Sequence, residues 1–160
     1  MPKAASPLKP DEPEAYFNLG AALSNSGHYV EAAQRYLEAM ERYQVGSGMW
    51  AQATAAAFTM LTQEDCAEVA KPEWWSDEGL KALSARVVRA APTFATAHSM
   101  RAWVLSGQCG AWEVGPRSAA ELKEAAAHWE RAAELSRAPA VKAYNTSNAA
   151  AIRSALAEAM

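Results

Sequence analysis

The chain has 160 residues, 51% of them hydrophobic, and a formal net charge of −3. That length is enough for one substantial core, and a mildly acidic balance without a basic run argues against nucleic acid or an anionic membrane as the main partner. No apolar run approaches the ~18 residues of a spanning helix, and two cysteines, Cys66 and Cys109, are too few for a disulfide framework.

Residues 1–10, rich in Pro, Lys and Ala, are expected to form a flexible lead-in, with a single helical domain over 11–160. They carry no apolar segment of the secretory kind, so a soluble, cytoplasmic setting is expected. Asp11 is placed to cap a first helix, with Glu12, Pro13 and Glu14 in its first turn, where acids and proline are favoured. The spacing predicts that helix to Asn25, stopped by Ser26-Gly27, and a second over about 29–43. A third is predicted over about 48–61. Its partner comes only after a delay, at about 77–90, with Ser76 as N-cap and Trp75 and Leu80 at hydrophobic-staple spacing.

A fifth helix is predicted over about 94–105, followed by SGQCGAWEVGPRS and a sixth over about 119–136. Ser118-x2-Glu121 makes a capping box at the start of the sixth. Pro139 to Met160 reads as a closing amphipathic helix. The caps, the 3.6-residue periodicity and the abundant alanine together predict an all-α chain.

The segment Tyr16-x2-Leu19-Gly20-x2-Leu23, then Gly27-x-Tyr29-x2-Ala32-x3-Tyr36-x2-Ala39, resembles the tetratricopeptide repeat pattern W-x2-L-G-x2-Y…A-x3-F. Small residues face bulky ones where two short helices cross, so Gly20 and Ala32 admit what Tyr16, Tyr29 and Tyr36 fill. A second unit begins at Trp50-x2-Ala53-Thr54-x2-Ala57, and Ala125-x3-Trp129-x2-Ala132 repeats the small–bulky–small signature. The resemblance implies a right-handed helical-hairpin solenoid of about three repeats (13–46, 47–92 and 93–138) with a C-terminal capping helix over 139–160. The second and third repeats exceed the ordinary length of about 34 residues because each carries an insertion between its helices. In the third, the expected register puts Arg101 at a normally apolar place.

Such scaffolds imply a non-enzymatic interaction module binding a peptide segment or partner subunit on the concave face. By that resemblance, Phe17, Asn18, Ala21 and Asn25 line the concave face in repeat one, and Gln52, Ala55, Phe58 and Thr59 in repeat two. Repeat three adds Ser99, Met100 and Trp103, and the closing helix adds Tyr144, Asn145 and Asn148. Carboxamides both donate to and accept from a peptide backbone, and aromatic and methionine side chains anchor apolar groups. The co-chaperone subclass grips acidic tails with basic side chains, but this chain has Phe17 and Ala21, then Thr96 and Met100, at those places. An acidic chaperone tail is therefore not the expected partner.

An alternative is a structural subunit that meets its partners through its convex face and the insertions. All such insertions emerge on one edge of a solenoid, so Cys66 and Cys109 are expected on neighbouring segments. Trp74, Trp75 and Trp112 would then either cover helix ends or form an aromatic docking edge. No catalytic signature, phosphate loop or Cys-x2-Cys pair occurs, so no cofactor and no metal are expected. Glu124 and His128, spaced i,i+4, form the one helical pair with metal-ligand character, and a solvated face is the simpler account.

Overall fold

The computed structural model describes residues 12–159; the expected lead-in and the Asp11 cap lie outside them. The described residues form α1 (Pro13–Asn25), α2 (Tyr29–Arg42), α3 (Gly48–Leu61), α4 (Asp77–Ala90), α5 (Ala95–Ser106), α6 (Ala119–Leu135) and α7 (Pro139–Glu158). A short 3-10 turn, Glu64–Cys66, interrupts the first insertion, and among the described residues there is no strand. Among the described residues no helix is long and apolar enough to cross a membrane.

Three helices, α3, α4 and α6, start where a serine side chain supplies a partner for an orphaned N–H group. Ser76 Oγ accepts from Gly79 N, and Ser118 and Glu121 form the reciprocal capping box. Ser47 Oγ accepts from Trp50 N at the head of α3, a cap absent from the sequence reading. At the far end of α5, Gly107 takes the left-handed conformation, φ +67°. A Cβ there would also lie 2.6 Å from Val114 Cγ1, so the turn into the second insertion requires glycine twice over.

Every helix packs against its neighbour in chain order, and α3 also packs against α5. At the α1/α2 crossing a Cβ on Gly20 would sit 2.9 Å from Tyr36 Cδ1, the small-against-bulky fit that the pattern implied. The central core joins Trp50, Phe58, Leu80, Val87, Met100 and Val104 from three helices, α3, α4 and α5. Arg101, the anomaly of the expected register, is held where it stands. Its guanidinium donates to Lys81 O at 2.7 Å and Ser84 Oγ at 3.0 Å on α4, and it pairs with Glu124 on α6.

Candidate functional site: an uncharged cleft between α3, α5 and α7

The nine predicted binding residues all fall on alternate helices: α1, α3, α5 and α7. Five of them meet. Phe58, Met100, Trp103, Tyr144 and Asn145 line one half-open cleft of about 210 Å³, together with Thr59, Thr62, Thr96, Ser99, Trp129 and Val141. No charged side chain is among them. Phe58 and Met100 are 1% exposed and form its floor, whereas Val141 and Tyr144 are 48% and 52% exposed on the α7 side. Trp103 and Trp129 meet edge to face at 5.1 Å, and Trp129 meets Tyr144 in the same way at 6.1 Å. Three aromatic rings thus stand in series along one wall.

Polar groups in this wall are few and fixed. Asn145 is buried and donates Nδ2 to Ser136 Oγ at 3.2 Å. Its carboxamide oxygen accepts no bond from the described residues, which leaves an acceptor within a cleft-lining side chain. The Trp129 indole N–H is likewise buried without an acceptor among the described residues. Thr59 and Ser99 donate to carbonyls of their own helices, at Ala55 and Ala95, and keep acceptor lone pairs.

The other four predicted residues lie away from the cleft. Phe17 packs edge-on against Tyr36 at 5.4 Å and belongs to the hairpin core. Asn18 and Asn25 are exposed on α1, and Gln52 is half-buried on α3. Conversely, Thr62, Thr96, Trp129 and Val141 line the cleft without having been predicted. Val141 was within reach, since it lies one turn before Tyr144 and Asn145 on the same face.

The insertions meet, and their tryptophans turn inward. Trp75 lies 5.5 Å from Phe58, 5.8 Å from Trp74 and 5.9 Å from Trp112, and Trp112 lies 5.9 Å from Phe58. Trp75 Nε1 donates to Ala111 O across the seam at 3.1 Å. Asp77 anchors the second insertion to the first turn of α4: it accepts from Trp112 Nε1 and Gly115 N at 3.1 Å and forms a two-pronged pair with Arg117. The Arg117 hydrogen bond, aided by Trp112 and Gly115 and opposed by burial, holds the Asp77 carboxyl well below the usual carboxylate range. Cys109 lines a cavity of about 330 Å³ at this seam, Cys66 is buried beside Leu61, and both thiols are free.

Glu124 and His128 are joined by His98, 2.9 Å from His128. Their ligand atoms do not converge, because His128 presents Nδ1 to His98 and Nε2 to Glu124 on opposite sides of its ring. Among the described residues no cluster of three such groups suits a metal ion. No protein-family model matches this sequence, and no curated protein matches it.

Proposed function

We propose that the chain is a tetratricopeptide-like solenoid of about three helical hairpins with a closing helix, working as a non-enzymatic interaction module. It takes an apolar, uncharged segment of a partner protein at the α3–α5–α7 cleft. The observation that carries this reading is the meeting of Phe58, Met100, Trp103, Tyr144 and Asn145 around one opening without a charged side chain. The packing of helices in chain order, the α3–α5 contact and the Gly20–Tyr36 fit support the repeat architecture.

The cleft's size and chemistry favour a protein segment over a cofactor. At about 210 Å³ it falls below the ~300–1,000 Å³ of sites that enclose a small molecule and suits one anchoring side chain. The Asn145 oxygen supplies one acceptor for the adjoining backbone. An acidic tail finds no cation in the lining. The cleft is favoured over the insertion edge of the assembly-subunit reading, because Trp75 and Trp112 are engaged with each other and with Phe58.

The test is capture of a partner by wild type, followed by crosslinking from a photoreactive residue at position 141. Tyr144→Ala is the decisive variant, since its half-exposed ring contributes little to the core. Partner affinity is expected to fall by about 2 kcal/mol with an unchanged melting temperature. Unchanged affinity in Tyr144→Ala, with crosslinks arising instead from position 74 or 112, would move the interface to the insertion edge.

A further inference from the structure

His98 and His128 stand across the α5/α6 crossing with Nδ1 facing Nδ1 at 2.9 Å and ring centroids 5.2 Å apart. His98 Nε2 lies 2.8 Å from Pro92 O, which only accepts, so His98 carries its proton on Nε2. A neutral His98 then has a lone pair on Nδ1, and His128 must donate from its own Nδ1. That leaves His128 Nε2 unprotonated, 3.3 Å from Glu124 Oε2. One proton between the rings satisfies both Nδ1 atoms, and the pair has no room for two.

We propose that His98 and His128 form a one-proton latch across the α5/α6 crossing, closed at neutral pH and released by acid. A proton taken from solvent onto His98 Nδ1 sets two N–H groups against each other at a distance that requires one donor and one acceptor, and the rings must part. A proton taken onto His128 Nε2 is drawn in by Glu124. It is opposed by burial, by His98 and by Arg101, which the α4 groups Lys81 O and Ser84 hold in place. Burial is the largest of these influences, and the His128 pKa lies below its ordinary value.

The sign follows from linkage. A base whose folded-state pKa is depressed binds fewer protons folded than unfolded, so stability present at neutral pH declines as pH falls below the unfolded value of about 6.5. The loss runs on down to the lower folded value. Within the crossing, His98 adjoins Ser99 and Met100, and His128 adjoins Trp129, all of which line the cleft. Acid release would therefore loosen the cleft wall, a consequence that rests on the function proposed above, whereas the latch itself does not.

The experiment is thermal melting between pH 7.5 and 5.0, alongside long-range 1H–15N spectra of the imidazoles. Wild type is expected to show His98 as the Nε2–H tautomer and His128 as the Nδ1–H tautomer, and to lose melting temperature as pH falls. His128→Asn cannot titrate, and its amide can offer either a donor or an acceptor to His98 Nδ1, so most of that loss should vanish. Glu124→Gln removes the group that draws the proton in, so the loss should deepen. This variant, at a half-exposed side chain, carries the test if His128→Asn does not fold. The same decline in wild type and both variants overturns the latch, as does a His128 ring that titrates at its ordinary value of about 6.5. A melting temperature that Zn2+ raises while shifting both imidazoles also overturns it, by putting a metal in the proton's place. None of these readouts involves the partner, so they can succeed where the Tyr144→Ala test fails.

Discussion

Gly20 lacks a side chain because the Tyr36 ring occupies its place. With ring atoms 2.9 Å from where a Cβ would stand, even alanine forces the crossing apart. Gly20→Leu is expected to cost about 1–3 kcal/mol by overpacking, and Tyr36→Ala about 3–5 kcal/mol by leaving a cavity, both read from thermal or urea melts. Neutral results in both would mean that the α1/α2 crossing is packed differently. This contact was legible in the sequence because both partners sit inside one hairpin with a three-residue turn. The His98–His128 pair was not, since an insertion of a dozen residues separates the two helices. A signal existed all the same: both residues lie roughly two turns from the connection, so an antiparallel pairing brings them level. Arg101 was legible only as an anomaly, because the groups that satisfy it belong to α4 and α6.

At the scale of elements, helix limits were read to within a residue or two wherever a cap was written locally, as at Ser76 and Ser118. The insertions were read as adjacent, but the direction of their tryptophans was not, because it depends on Asp77. That carboxylate gathers Trp112, Gly115 and Arg117 from the second insertion, and Arg117 in turn donates to Val104 O at 2.9 Å. Asp77→Asn strands the Arg117 guanidinium, whose side chain is 6% exposed, and is expected to cost about 3 kcal/mol. Amide exchange should then quicken over residues 107–118 in particular. A carboxylate with a depressed folded pKa stabilises the fold above its unfolded value of about 3.9, and the stabilisation is lost as pH falls toward the folded one. Wild type should therefore lose stability below about pH 4 more steeply than Asp77→Asn, and parallel acid melts would contradict this account.

Across the whole molecule, α1 and α2 are joined to the rest through α2, which meets α3 and the 3-10 turn. From α3 to α6 the helices are braced a second time by the two insertions locked through Trp75, Trp112 and Asp77. The first hairpin lies outside that brace and is expected to open before the braced helices. The cleft lies between the braced helices and α7, which explains why only some of its lining could be read beforehand. The α7 face followed from helical periodicity alone, whereas Trp129 carried the signature of a core residue and only its packing against Trp103 and Tyr144 brings it to the wall.

The inward-turned tryptophans have an optical consequence. All six tryptophans lie between Trp50 and Trp129, and four of the five tyrosines lie between Tyr16 and Tyr43. Tryptophan emission therefore reports the braced segment, and second-derivative tyrosine absorbance reports mainly the first hairpin. In a urea titration the tyrosine midpoint is expected at a lower concentration than the tryptophan midpoint, and coincident midpoints would show one cooperative unit. The chain carries a separate chromophore for each of its two parts, so their melting can be followed without attaching a label to either.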